Sequence, residues 1–255
     1  MNRSKEFKEL HNQENLLLIG NVWDVQSASV FEEKGYKAVG TSSAAIATSL
    51  GLEDGEQMSF EQLNEIVKRI TSKISIPLTV DIEGGYSRDV NEIIENIVAL
   101  HKNGVAGINI EDSVIDGDKK ILDAEEFGKI ISVIKTYLKE NKIDLFLNIR
   151  TDFFIMGLNN PLEETIKRIK IYEKYGADGI FVPCITSEND IEQVVETTAL
   201  PINVMTMPNL PNFNKLQELG VKRISMGPFI YNNITDHLKK ILQNIEKDQS
   251  FNCLF

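Results

Sequence analysis

Cysteine is nearly missing from this 255-residue chain, which has two, Cys184 and Cys253, far apart in sequence. Such spacing builds neither a disulfide framework nor a paired-cysteine zinc site, and it suits a reducing compartment, so the expected location is cytoplasmic. Histidine is almost as scarce: of three, His11 lies near the start, and His101 and His237 fall in stretches of helical period. Long apolar runs are missing too. Leu16-Leu-Leu-Ile19 is too short for the apolar region of a signal peptide, and no eighteen apolar residues follow one another, which excludes a membrane-spanning helix. Basic residues are in the minority, 27 against 38 acidic ones for a net charge of −11, and no Lys/Arg run stands out. Nucleic acid is therefore excluded as a partner. G-x-G-x-x-G, P-loop and G-x-S-x-G motifs are absent, which removes motif support for nucleotide binding and serine hydrolysis.

What is present is an alternation. Short runs rich in Val, Ile and Phe recur between longer stretches of helical period, the pattern of parallel strands joined by crossover helices. Eight such runs stand out: Leu16 to Gly20, Lys37 to Gly40, Pro77 to Asp81, Ala106 to Ile110, Leu145 to Ile149, Asp178 to Val182, Pro201 to Val204 and Arg223 to Met226. Spread over the chain they give about 32 residues per unit, close to the roughly 30 that a βαβ module needs. The expected fold is α/β: a single (β/α)8 barrel, the TIM barrel, over residues 1–255, with no Pro/Ser linker or composition break. Gly35, Gly104, Gly176 and Gly220 each close a charged helical stretch just before a strand, as left-handed helix caps do. Ser59 with Gln62 reads as a capping box, Asp89 with Glu92 resembles one, and Asn160-Pro161 reads as a cap followed by a first-turn proline.

In a parallel barrel the active site lies at the carboxyl ends of the strands, so polar residues there carry functional weight. Here those ends are acidic. The period of two puts Asp81 and Glu83 on one side of the third run, and Asn109 and Glu111 share a face of the fourth. Asn148 and Arg150 share a face of the fifth, while Val80, Ile82, Ile108 and Ile110 point the other way. A ring of unpaired carboxylates in a barrel mouth is costly, which implies a cation and an anionic substrate. All-oxygen ligands point to Mg²⁺ or Mn²⁺ rather than zinc. Asp112 and Asp152 read as capping or supporting groups. Gly40-Thr-Ser-Ser-Ala-Ala45 offers backbone N–H groups and hydroxyls for a carboxylate or phosphonate. Arg150 either clamps the same anion or pairs with a barrel carboxylate. Cys184, at the end of the sixth run, reads as packing.

Taken in order, these segments resemble the isocitrate lyase and phosphoenolpyruvate mutase superfamily, from Gly20-Asn-Val-Trp-Asp24 to Arg223-Ile-Ser-Met-Gly-Pro228. The resemblance implies a barrel of the phosphoenolpyruvate/pyruvate type and substrate contacts from Ser42, Ser43, Ala44, Asp81, Arg150 and Asn203. Leu50-Gly-Leu-Glu-Asp54 matches a segment carrying a metal-shell aspartate, and Val80-Asp-Ile-Glu-Gly-Gly-Tyr86 is similar to the family's Asp-x-Asp-x-Gly-Tyr/Phe-Gly motif, with Glu83 in place of the second aspartate. The implied Mg²⁺ shell is Asp54, Asp81, Glu83 and Glu111, with Arg150 and Asp54 in catalytic roles. Implied too are a homo-oligomer, dimer or tetramer, in which a terminal helix can be exchanged, and a small anionic 2-oxo acid or phosphonate as substrate.

The departures sharpen the expectation. Family lyases of isocitrate and methylisocitrate carry Lys-Lys/Arg-Cys-Gly-His after the fourth strand, whereas this chain has Ser113-Val-Ile-Asp-Gly-Asp-Lys-Lys-Ile-Leu-Asp123. That segment, 113–123, is expected to be a rebuilt active-site lid whose charges are Asp116, Asp118, Lys119 and Lys120. The missing cysteine tilts the expected reaction toward a phosphomutase or phosphonate-cleaving enzyme acting through an enolate-like state. A C–C lyase of isocitrate, methylisocitrate, oxaloacetate or alkylmalate type is the alternative, and a non-catalytic 2-oxo acid binder is the alternative of another class. The apolar end Ser250-Phe-Asn-Cys-Leu-Phe255 is read as packing on a partner subunit.

Overall fold

The computed structural model describes residues 3–255, apart from the side chain of Asp116. Ten strands form among these residues: β1 (Leu17–Val22), β2 (Ala38–Thr41), β3 (Leu78–Asp81), β4 (Gly107–Glu111), β5 (Ser113–Asp116), β6 (Asp118–Ile121), β7 (Phe146–Arg150), β8 (Gly179–Val182), β9 (Ile202–Met205) and β10 (Arg223–Ser225). Eight of them close into a parallel barrel in the order β1-β10-β9-β8-β7-β4-β3-β2. This is the TIM-barrel architecture, and each of the eight expected runs coincides with one barrel strand to within about two residues. The other two, β5 and β6, pair antiparallel as a hairpin turning at Gly117 (φ 72°), so the segment read from sequence as a loop is a small ribbon.

Ten helices accompany the strands: α1 (Arg3–His11), α2 (Val25–Glu33), α3 (Ser43–Ser49), α4 (Phe60–Thr71), α5 (Val90–Lys102), α6 (Ala124–Glu140), α7 (Pro161–Lys174), α8 (Glu188–Glu196), α9 (Phe213–Glu218) and α10 (Phe229–Asp248). None of them is long and apolar enough to cross a membrane. The four glycines expected to cap helices all take positive φ, between 83° and 101°. The Ser59–Gln62 capping box forms as read. Two other readings change. Asp89 caps through the Asn91 N–H, while Glu92 accepts from Ser87 instead, and Asn160 adopts left-handed φ 51° with no side-chain cap, leaving Pro161 alone to start α7.

The packing has an outer and an inner part. Val80, Ile82, Ile108, Ile110 and Ile149 point outward into the apolar layer beneath the helices, as their alternation requires. Inside the barrel, register stacks polar residues: Asp81 pairs with Asn109, Asn109 with Asn148, and Glu111 with Arg150. The floor is a separate apolar plug of Phe7 and Leu10 from α1 with Leu17, Ile19, Ala38, Ala106 and Phe146. Above it lies Arg223, 1% exposed, whose Nη2 donates to Asn109 Oδ1 at 3.3 Å while its Nε and Nη1 find no partner among the described residues. Gly107 makes room for this floor, because a Cβ there would lie 2.8 Å from the Phe7 ring.

Helix α10 is the exception to the packing. It has no buried residue, and Ile230, Ile234, Leu238 and Leu242 form a stripe at four-residue spacing that is 37–54% exposed.

Candidate active site

At the carboxyl ends of the barrel strands lies a cavity of about 290 Å³. Strand order sorts its walls. The strands β2, β3, β4 and β7, with the segments that follow them, contribute Ser42, Ser43, Asp54, Asp81, Asn109 and Arg150. The contiguous strands β8, β9 and β10 contribute Phe181, Cys184, Met205, Met207 and Phe229, with Ser225 the polar exception, joined by Ile155 from the segment after β7. One wall is polar and acidic, the other mainly apolar.

Arg150 organises the polar half. Its Nη1 lies 2.8 Å from Glu111 Oε2 and 3.9 Å from Asp81 Oδ2, and its Nε lies 2.5 Å from Asp152 Oδ1. Lys119 reaches down from the hairpin, with Nζ 2.9 Å from Glu111 Oε1 and 2.7 Å from Asp152 Oδ2. Ser113 Oγ lies within hydrogen-bond distance of the same two carboxylates. Burial works against the charge of Lys119, but Glu111 and Asp152 more than offset it and raise its pKa, so the ammonium persists. Arg150 is raised in the same way. Burial also disfavours charge on Asp152, yet Arg150 and Lys119 outweigh it and hold that carboxyl below its ordinary range.

The turn after β3 carries backbone strain. The strand ends at Asp81, so Glu83 is placed by a left-handed residue (φ 49°) and not by the pleat, followed by Gly85 (φ 100°) and Tyr86 (φ 59°). The result still sets Glu83 beside Asp81, whose Oδ1 accepts the Glu83 N–H at 3.2 Å. Glu83 in turn accepts the Glu56 N–H at 2.7 Å, tying the Asp54 segment to the site. Arg88 bridges Glu56 Oε2 (2.6 Å) and the Ile115 carbonyl (3.3 Å), which fastens the hairpin over that segment. The hairpin base is held from outside the barrel. Asp112 Oδ2 accepts from Arg168 (2.9 Å) and Tyr172 (2.7 Å), its Oδ1 accepts the Asp152 N–H, and Arg168 Nη2 donates to the Leu122 carbonyl.

Asp81 and Glu83 are the buried carboxylates with no cationic side chain in hydrogen-bond contact among the described residues. Burial, with Glu111 and Asp54 adding repulsion and Arg150 opposing it, pushes Asp81 up to about 7. Burial and the charges of Asp54, Asp81 and Glu111 push Glu83 up to about 8, and Glu111 is raised as well, chiefly by burial. One hard divalent cation would relieve this repulsion, and an all-oxygen donor set fits Mg²⁺ or Mn²⁺. Among the described residues no three His, Cys, Asp or Glu side chains are grouped to hold a metal ion by themselves. The fit is therefore to a cation held by one or two carboxylates, with water and substrate oxygens completing its shell, which is how Mg²⁺ is commonly bound.

Of the residues singled out from sequence, Ser42, Ser43, Ala44, Asp54, Asp81 and Arg150 all line the cavity. Glu83 and Glu111 are buried against that set, 6% and 5% exposed. Asn203 is 1% exposed and does not line the cavity; it joins a ladder beneath, accepting from Asn148 and donating to Ser225 Oγ. Arg150 pairs with barrel carboxylates and also lines the cavity. Lys119 takes a definite partner among the hairpin charges, while the side chain of Asp116 lies outside the described residues. Sequence reasoning missed Asn21 and the apolar wall. Asn21 Oδ1 accepts the Met226 and Gly227 N–H groups, and the barrel phase of β1 carries the signal for it. Met205, Met207 and Phe229 gave no signal, because apolar residues at strand ends look like core.

A family model described as phosphoenolpyruvate phosphomutase matches residues 7–246. An uncharacterized protein of Mycobacterium tuberculosis (strain H37Rv) is 32% identical over 88% of this chain and 83% of its own length. Oxaloacetate decarboxylase 1 of Pseudomonas fluorescens (strain Pf0-1) is 28% identical over 86% of this chain and 76% of its own. A crystal structure of a Burkholderia cenocepacia J2315 protein, named as a phosphonomutase, superposes with a TM-score of 0.89 at 32% identity, covering 95% of this chain and all of that one.

Proposed function

The chain belongs to the phosphoenolpyruvate phosphomutase family, within the superfamily that also holds isocitrate lyase, and from that premise we propose that it is a Mg²⁺-dependent enzyme making or breaking a C–P or C–C bond beside a 2-oxo acid through an enolate-like state. The single observation that carries this reading is the set of buried carboxylates, Asp81, Glu83 and Glu111, meeting the Arg150 guanidinium at the mouth of a parallel barrel.

The residues divide the work. Ser42, Ser43 and Ala44 offer hydroxyls and N–H groups to the substrate carboxylate. Asp81, with Glu83, Glu111 and Asp54 around it directly or through water, would hold Mg²⁺. When bound, that ion supplies Lewis-acid stabilisation of negative charge on the oxo acid oxygens. Arg150 faces the cavity with its charge fixed by Glu111 and Asp152, so it stabilises the same developing charge without reorganising. Lys119 adds a second fixed positive charge and secures the hairpin, residues 113–123, as a lid that excludes water. Asn203 supports the floor of the site through Asn148.

The oligomer follows the same reading. A 20-residue helix with no buried residue and an apolar stripe 37–54% exposed needs a cover, and we infer that a second copy supplies it through α10 and the apolar end at 250–255.

The test is a Mg²⁺-supported panel of phosphonopyruvate, oxaloacetate, isocitrate and alkylmalates, together with proton exchange of pyruvate in D₂O. Turnover of one member, or Mg²⁺-dependent exchange of the pyruvate methyl protons, is expected. Pyruvate that binds without exchange, alongside a silent panel, would establish the non-catalytic binder instead.

A further inference from the structure

Beside its acidic wall the cavity of about 290 Å³ has a second lining from the three contiguous strands β8, β9 and β10, where Phe181, Cys184, Met205, Met207 and Phe229 present hydrocarbon and sulfur and Ser225 is the one polar side chain. Arg150, on β7 with its guanidinium 5.9 Å from the Phe181 ring, is the one cationic side chain lining the cavity among the described residues. Its charge is already shared among Glu111, Asp152 and Asp81. A second carboxylate or a phosphonate directed at Met205, Met207 and Phe229, which belong to the strands two and three places from Arg150, would thus be desolvated without a cationic partner, an unfavourable exchange for any dianion or trianion. An apolar group placed there gains its transfer free energy, and methionine walls adapt to branched shapes.

We propose that the substrate carries an uncharged apolar arm, branched alkyl or aryl, beyond its 2-oxo acid end, and that Met205, Met207 and Phe229 set the preference for it. This rests on the 2-oxo acid reading of the same cavity and narrows it: tricarboxylates and phosphonates are the poor fits, and oxo acids with an apolar arm are the good ones.

Calorimetric titration of the full chain with Mg²⁺ present, using oxalate, pyruvate, 4-methyl-2-oxopentanoate and 2-oxoglutarate, separates the two levels of the argument. Full burial is worth about fourfold in Kd per methylene, so the three extra carbons of the branched acid give at most roughly sixtyfold over pyruvate, and at least tenfold is expected. The charged arm of 2-oxoglutarate should bind more weakly than pyruvate. Failure of both oxalate and pyruvate to bind overturns the oxo acid reading and this inference with it. Oxalate binding with no gain from the branched arm, or with 2-oxoglutarate the tighter ligand, overturns the inference alone. In a Met207→Asp variant shown to be folded by its thermal melt, the ratio of the pyruvate and 4-methyl-2-oxopentanoate Kd values should collapse toward one. A ratio that stays tenfold would remove Met207 from the wall that selects.

Discussion

Acid should weaken this protein through its floor. His11 is 3% exposed at the end of α1; its Nδ1–H donates to the Phe7 carbonyl at 2.7 Å and its ring stacks on Phe146 at 4.2 Å. Its Nε2 has no partner among the described residues. Burial, reinforced by the charge of Arg223 and opposed by the Phe7 carbonyl, pushes the pKa from 6.5 down to about 3. A depressed folded-state pKa makes the unfolded chain the better proton acceptor, so stability is intact above pH 6.5 and drains as pH falls toward 3. The slope is about 1.4 kcal/mol per pH unit, which gives a loss of about 2 kcal/mol at pH 5.0. Urea unfolding of wild type and His11→Phe at pH 7.5 and 5.0 measures it: the wild type should lose about 2 kcal/mol more between the two than the variant, since every other titrating group is common to both. Equal losses, or an imidazole that titrates near 6.5 in the folded protein by NMR, would refute the reasoning.

Other perturbations test the lid, its anchor and the exposed helix. Lys119→Met removes the ammonium that ties β6 to Glu111 and Asp152, so proteolytic cleavage near Gly117 should accelerate, and an unchanged rate would contradict the latch. Asp112→Ala strands Arg168 and Tyr172 in the interior, at a cost of about 3–5 kcal/mol and a Tm lower by about 10 °C. A melt within two degrees of wild type, by calorimetry, would show that the pair is not structural. Leu238→Asp places a charge in the middle of the α10 stripe and should convert the oligomer to a monomer in light scattering, whereas an unchanged mass would place the interface elsewhere.

The barrel was legible in the sequence because the strands are short apolar runs, four of them preceded by a glycine cap, and the helix-facing alternation of Val80, Ile82, Ile108 and Ile110 fixes which residues point inward. The acidic ends of β3 and β4 and the arginine of β7 followed from that phase alone. Glu83 reached its place by another route, a left-handed turn that a period of two does not describe. The hairpin was hidden because a ribbon of four-residue strands gives too little pattern to be told from a loop. The partner that Lys119 chooses is hidden as well, since a long flexible side chain is placed by tertiary charge and not by its neighbours in sequence. The apolar wall has no sequence signature, because Met205 and Phe229 differ from core residues only in facing a cavity.

Diffraction from crystals soaked with Mn²⁺ and oxalate tests the central claim most directly. An anomalous peak beside Asp81, with oxalate spanning from it toward Arg150 and the Ser43–Ala44 backbone, is the predicted result. Manganese bound elsewhere, or oxalate absent from the cavity with Asp81 and Glu83 left facing each other, would contradict it.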